Sequence, residues 1–202
     1  MTRQAERFAG GYLGGSYEVV HMNIVSRIAG FLAPIVAFVA IAIAIAAHPW
    51  FSFTENAISD LGAMSVEDNY ILNYGLMIAG ILAVIFSYGL YKDQKSALGK
   101  LGAIIFVVAS ISLILIGLFP EDFKIPIHYP ASVSFFVLGS FGILIVGLAD
   151  ERRWFGAFSI ALFSIGWILA LVCLAIFNGV AIPELIGAGA ISLWVYAYLL
   201  SR

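Results

Sequence analysis

Residues 27–47 read RIAGFLAPIVAFVAIAIAIAA, and this stretch decides the class of the protein. After Arg27 it carries no charged side chain, and it is as long as an α-helix must be to cross a hydrocarbon core of about 30 Å. Barrel strands would alternate apolar and polar residues, which these residues do not. Five similar stretches follow. We therefore predict an all-α fold with six transmembrane helices, at residues 27–47, 69–91, 101–119, 130–149, 154–177 and 183–200.

The composition of the whole chain supports this class. Hydrophobic residues make up 62% of the 202 residues, charged residues make up 11%, and the mean hydropathy is +1.04. Soluble domains average about 45–50% apolar and about 25% charged residues. A chain of this length cannot bury so much apolar surface inside itself, so lipid must cover much of it. We predict a single six-helix transmembrane domain over residues 22–202, forming a polytopic bundle.

Residues 1–21 differ from the rest of the chain, because they are polar, rich in glycine and without an apolar run. A secretory signal would need an apolar central region, which is missing here. The dipeptide His21–Met22 leaves two interpretations open. Either the segment is an N-terminal extension derived from cloning, with Met22 as the natural start, or it is native.

The positive charges divide unequally between the two sides of the predicted helices. Nine of the ten Lys and Arg residues fall on the side of both termini, and only Lys124 falls on the other side. Short loops rich in Lys and Arg stay in the cytoplasm. We therefore predict a multi-pass protein of the cell membrane with both termini cytoplasmic, and with the loops 48–68, 119–129 and 178–182 facing outward. A net charge of −2 argues against a nucleic-acid partner.

The outward face carries seven acidic residues, six in its loops and Glu184 at the start of the sixth span, against one lysine. In the first loop, SFTENAISDLG at residues 52–62 predicts a short amphipathic helix over residues 53–61, lying at the outer interface. Ser52 and Glu55 have the spacing of a capping box, and Gly62 suits the end of a helix. Asp60 would then lie in the last turn, where the helix dipole disfavours an anion. Some other group must compensate for its charge.

The candidate ligand-binding residues are Ser59, Asp60, Asn73, Glu121, Asp122 and His128. Asp60 and His128 are also the candidates for a catalytic or metal-binding role, because a His beside carboxylates suits acid–base chemistry or a metal. We predict that these two side chains approach each other, with Asn73 near the same pocket. Each has a structural alternative: Glu121 and Asp122 as solvated turn residues, His128 as a satisfied interface residue, and Asn73 as a hydrogen-bond donor between segments.

Several of these residues recur in one resemblance. The chain has Ile58-Ser-Asp-Leu-Gly62 after the first span, Asn73 early in the second, and Gly117-Leu-Phe-Pro120 at the end of the third, followed by His128, Ala131 and Phe135. In these features it resembles the six-helix membrane family named "domain of unknown function 998", over roughly residues 24–200. The resemblance implies the fold and carries no activity. The zinc-dependent transmembrane hydrolases were also considered, but their His-x-x-x-His pair does not occur here.

Three functions remain open at this point. The first is a protein that binds a small ligand, a metal ion or a lipid head group in an outward-facing polar pocket. The second is a membrane hydrolase or transferase that uses Asp60 and His128. The third is an accessory subunit of a membrane complex, or a homo-oligomer, that contacts its partner through faces of small residues such as Gly75, Ala79, Ala83 and Ser87. Membrane lipid is the expected partner in each case, and the sequence specifies no cofactor.

Overall fold

A computed structural model describes residues 22–202, so the predicted N-terminal extension lies outside the described residues. Six α-helices long and apolar enough to cross a membrane follow one another along this part of the chain. They are α1 (Ile24–Ala47), α2 (Tyr70–Asp93), α3 (Ala97–Leu118), α4 (His128–Ala149), α5 (Arg153–Ile176) and α6 (Ala181–Leu200). No strand occurs among residues 22–202. The predicted all-α bundle of six spans is confirmed.

The helices form a bundle with two chemically different ends. The start of α1 and the end of α6 lie at the end with the 93–96 and 149–152 connections, which we call the basic end. The loops 48–69, 119–127 and 177–180 lie at the other end, which we call the acidic end. Helices α1 to α4 pack in chain order, and α6 contacts α1, α4 and α5. Helix α5 is peripheral, since only Phe155 and Ser159 of its residues are buried.

Small residues allow the helices of the first half to approach closely. A side chain at Gly75 would collide with Ala40 of α1, and a side chain at Gly117 of α3 would collide with the backbone of Asn73 in α2. Ser87 donates to the carbonyl oxygen of Ala83 and contacts Ser110 of α3 at 3.1 Å. The small-residue row of α2 therefore packs against helices of the same chain.

Aromatic side chains fill the core of the basic half. Phe86, Phe155, Trp194 and Tyr198 are at most 1% exposed, and Trp194 stacks on Tyr198 with ring centroids 5.3 Å apart. The indole nitrogen of Trp194 donates to Ser159 Oγ at 2.7 Å, so its one polar atom is satisfied. This contact attaches the peripheral helix α5 to α6.

Charged side chains tie the connections of the basic end together. Arg152 makes a two-pronged ion pair with Asp150, with Nε–Oδ1 and Nη2–Oδ2 distances of 2.8 Å. Arg202 bridges Asp150 at 2.7 Å and Asp93 at 3.0 Å. Burial of Asp150 opposes its ionisation, but the hydrogen bonds and charges of Arg152 and Arg202 outweigh it and lower the pKa of Asp150 to about 2. The network fastens the C-terminus to the ends of α2 and α4.

Candidate functional site

The first loop of the acidic end does not form the predicted α-helix over residues 53–61. Residues 53–55 form a turn, and a short 3₁₀ helix follows at Ile58–Gly62. The predicted capping box is also wrong. The side chain of Asn56 accepts a hydrogen bond from the Ser52 N–H at 3.0 Å, and Glu55 accepts one from Asn178 of the third loop. Polar side chains that bond nearby backbone groups compete with a regular helix in this way.

Asp60 occupies the opposite end of its helix from the one predicted. It lies in the first turn of the 3₁₀ helix, where its carboxylate accepts hydrogen bonds from the Ala57 N–H at 3.0 Å and from Asn56 Nδ2 at 2.9 Å. An anion is favourable at the N-terminal turn of a helix. Asn56 and Ala57, and not His128, therefore stabilise the charge of Asp60. Asp60 caps the 3₁₀ helix of its own segment.

His128 contacts a different loop. Its Nδ1 donates to the carbonyl oxygen of Phe119 at 2.9 Å, because a carbonyl oxygen can only accept. Within residues 22–202 no ion pair joins Asp60 to His128. Asp60 and His128 therefore do not form a direct ion pair, which is the contact that the hydrolase hypothesis needs. In the same part of the chain, no three His, Cys, Asp or Glu side chains are arranged to hold a metal ion.

Asn73 lies beneath the 3₁₀ helix. Its side-chain nitrogen donates to the carbonyl oxygen of Gly62 at 2.8 Å and to Asn69 Oδ1 at 3.3 Å. Helix α2 begins at Tyr70, and Asp68 has a positive φ of 59° in the preceding turn. Asn73 thus contacts the outer loop and satisfies the C-terminal carbonyl of the 3₁₀ helix.

Hydrogen bonds join the three loops of the acidic end into one cap over the bundle. The Gly179 N–H donates to the Thr54 carbonyl oxygen at 2.7 Å, and the Ala181 N–H donates to that of Asn56 at 2.9 Å. Asp122 accepts hydrogen bonds from the backbone N–H groups of Met64 at 2.7 Å and Ser65 at 3.1 Å. These bonds lower the pKa of Asp122, with that from Met64 as the largest cause. Asp122 is therefore a linker between loops.

Two further acids lie where this cap meets α4 and α6. Glu184, in the first turn of α6, accepts a hydrogen bond of 2.6 Å from the Ile58 N–H. Glu121 accepts one of 3.1 Å from Ser59 Oγ. The pKa of Glu121 is raised, first because neighbouring atoms displace water from its carboxyl group and then because the Asp60 carboxylate lies close by. The acidic end thus brings several carboxyl groups close together.

A cavity of about 540 Å³ lies between α4, α5 and α6 beside these acids. Its polar opening, which we call the rim, is formed by Ser59, Glu121, His128 and Glu184. Most of the wall below the rim is apolar. The exceptions are Ser132 of α4 and a hydrogen bond of 3.1 Å from the Trp167 indole nitrogen of α5 to Ser140 Oγ of α4. A smaller cavity of about 110 Å³ in the centre of the bundle shares Ser59 and Glu184 with the first.

The candidate residues divide around this cavity. Ser59, Glu121 and His128 line it, whereas Asp60, Asn73 and Asp122 hold the surrounding loops in place and do not line it. Sequence reasoning missed Glu184 as a site residue, because an acid after Pro183 at a helix start has an ordinary explanation. It also missed Trp167 and Ser140, for which the sequence offers no signal beyond their polar atoms within apolar spans.

A family model described as "Protein of unknown function (DUF998)" matches residues 31–201. The chain belongs to this family. The match extends from within α1 to the end of α6, so the DUF998 region contains most of α1, the other five helices, the 3₁₀ helix and the cavity. No curated protein and no solved structure matches the chain.

Proposed function

We propose that this DUF998 protein binds the apolar chain of a lipid or lipid-like molecule in the cavity between α4, α5 and α6, with the polar head at the rim. The cavity itself carries the proposal. Small-molecule sites are typically clefts of about 300–1,000 Å³ with mainly apolar walls and a few polar groups that fix orientation. A volume of about 540 Å³ with a mainly apolar wall and its acidic residues at one end fits that description.

The length of the cavity favours an extended chain over a compact ligand. Its lining runs along α4 from His128 to at least Ser140, which is twelve residues or about 18 Å of helix. One leaflet of a hydrocarbon core of about 30 Å is about 15 Å deep. A chain that enters beside the rim can therefore extend to the level of Trp167 and Ser140, near the middle of the bilayer.

The position of the cavity favours entry from the membrane. Helix α5 forms one of its walls, and most of that helix is exposed, with 66% exposure at Ile176 and 60% at Ile168. Lipid covers such apolar surface in a membrane protein. A molecule already dissolved in the bilayer can thus reach the cavity past α5 without first leaving the membrane.

The orientation of the protein in the cell membrane belongs to the same proposal. The basic end carries seven of the eight Lys and Arg residues in the described part of the chain, and this imbalance supports cytoplasmic termini. The cavity and its rim would then belong to the outer leaflet. The ligand would be taken from, or presented to, the outer surface of the membrane.

Filling the cavity tests the proposal. Ala170 of α5 lines the cavity, whereas Ala161 of the same helix is exposed and does not line it. Wild type, Ala170→Phe and Ala161→Phe would be purified in one detergent, and the bound lipid would be measured by native mass spectrometry. We expect bound lipid on wild type and Ala161→Phe and little on Ala170→Phe. Equal lipid on both variants, or none on wild type, would overturn the proposal.

A further inference from the structure

Resting on this proposed function, we infer that the ligand carries a cationic amine or ammonium group as its head, bound between the acids of the rim. The chemical class is a long apolar chain ending in a positively charged nitrogen. Three properties of the acidic end support this choice: its uncompensated charge, the placement of Glu184, and an aromatic ring at the opening.

The negative charge of the acidic end has no basic partner in the described part of the chain. All four ion pairs of residues 22–202 lie at the basic end. Lys124, the only Lys or Arg of the outer loops, pairs with none of Asp60, Glu121 and Glu184. A carboxylate cluster without cations attracts a positive ligand and repels a phosphate or a carboxylate.

Glu184 is held in a position to meet the head group. Its Oε2 accepts the hydrogen bond from the Ile58 N–H, which fixes the side chain between α6 and the cap. The residue is half-buried and lines both cavities. A carboxylate with two oxygens has further lone pairs to accept hydrogen bonds from an ammonium group. Charge-assisted hydrogen bonds of this kind are about twice as strong as neutral ones.

Tyr129 adds a second kind of attraction for a cation. It lines the opening of the cavity one residue after His128, and it is 77% exposed. The face of an aromatic ring attracts an ammonium or quaternary ammonium group within about 6 Å. The apolar wall below accepts the chain, so head and chain are recognised by different parts of one site.

A matched pair of ligands tests the head group and the chain separately. Trp167 lies in the cavity wall, and a brominated chain quenches the fluorescence of an indole that it touches. The protein would be placed in nanodiscs of unbrominated lipid, and traces of a brominated C16 amine or of the carboxylate of the same chain would be added. Subtracting the quenching of Trp167→Phe isolates the signal of Trp167. Brominated phosphatidylethanolamine, whose head group carries an amine, would be compared with brominated phosphatidylglycerol, whose head group carries none. Preferential quenching by the first lipid would show that the amine can belong to a lipid head group, and quenching by the C16 amine alone would indicate a free amine.

We expect the amine to quench Trp167 at about tenfold lower concentration than the carboxylate, which corresponds to one charge-assisted interaction. Glu184→Gln and Glu121→Gln should each remove most of this preference, since glutamine keeps an acceptor oxygen and loses the charge. Glu67→Gln, at an exposed acid that does not line the cavity, should keep it. Equal quenching by amine and carboxylate would overturn the inference and leave the proposed function standing. Quenching of Trp167 by neither ligand would overturn both.

Discussion

The carboxylate of Glu184 accepts a hydrogen bond of 2.6 Å from the backbone N–H of Ile58. These residues are 126 positions apart in the chain, and their contact joins the start of α6 to the 3₁₀ helix of the first loop. Ile58 is 6% exposed, so its N–H has little access to water. Glu184 thus supports the cap and contributes to the rim of the cavity.

We expect Glu184→Ala to destabilise the protein by about 1–3 kcal/mol, because the buried Ile58 N–H loses its acceptor. Glu184→Gln should cost much less, since the amide oxygen can accept the same hydrogen bond. Thermal unfolding of both variants in one detergent measures the difference. Equal melting temperatures would show that the Glu184–Ile58 contact does not stabilise the cap.

Asn73→Ala should destabilise the protein by about 1–2 kcal/mol, because the carbonyl oxygen of Gly62 loses its donor. Amide hydrogen exchange should increase locally, over residues 58–63. Asn178→Ala is the matched control, since Asn178 makes an exposed contact with Glu55. If both variants lower the free energy of unfolding by the same amount, the buried hydrogen bond from Asn73 stabilises the protein no more than the exposed one from Asn178.

Asp150 gives a prediction for acid stability. Its pKa falls from 3.8 to about 2 in the folded protein, so its ion pairs contribute stability that is complete above about pH 4. This contribution disappears as the pH falls from about 4 to about 2. Asp150→Asn should lose roughly 1–2 kcal/mol at neutral pH and show a flatter stability profile over that acid range.

The neighbouring Glu151 provides the control for this measurement. Glu151 pairs with Lys95 at 3.4 Å, and the two side chains are 81% and 72% exposed. Exposed pairs contribute little, so Glu151→Gln should leave the unfolding profile unchanged. If Glu151→Gln lost as much unfolding free energy as Asp150→Asn, removal of any acidic charge at the basic end would be enough to destabilise it. The ion pairs of Asp150 with Arg152 and Arg202 would then have no specific role.

The sidedness of the protein can be tested with single cysteines. In a Cys173→Ala background, Glu67→Cys places a thiol at the acidic end and Lys95→Cys places one at the basic end, both at exposed positions. We expect a membrane-impermeant reagent added to intact cells to label position 67 and to spare position 95. The reverse pattern would invert the proposed orientation and place the rim at the cytoplasmic face.

The spans could be predicted closely because apolar length alone determines them in a membrane. Helix α4 was predicted at residues 130–149 and is found at His128–Ala149, and α1 begins three residues before the predicted start. These differences arise because each helix continues for two or three residues beyond the apolar stretch from which it was predicted. In α1, the side chain of Asn23 caps the helix by accepting from the Ser26 N–H at 2.8 Å.

The candidate site was harder to predict, because it depends on contacts between distant loops. The predicted helix over residues 53–61 was wrong since Asn56 and Asp60 bond backbone N–H groups of their own segment, and the third loop binds its backbone. For the same reason the hydrogen bonds of Asp60 come from Asn56 and Ala57 and not from His128. No local pattern specifies that Glu184 reaches Ile58, or that three helices leave a cavity between them.

An experimental map of the wild-type protein in lipid nanodiscs tests the central claim most directly. The account predicts elongated density between α4, α5 and α6, with one end at Glu121, His128 and Glu184 and the other near Trp167. Density of this shape should be absent from a map of Ala170→Phe and present in one of Ala161→Phe. A wild-type map in which α5 packs against α4 and α6 and fills the cavity, or in which the cavity is empty, would contradict it.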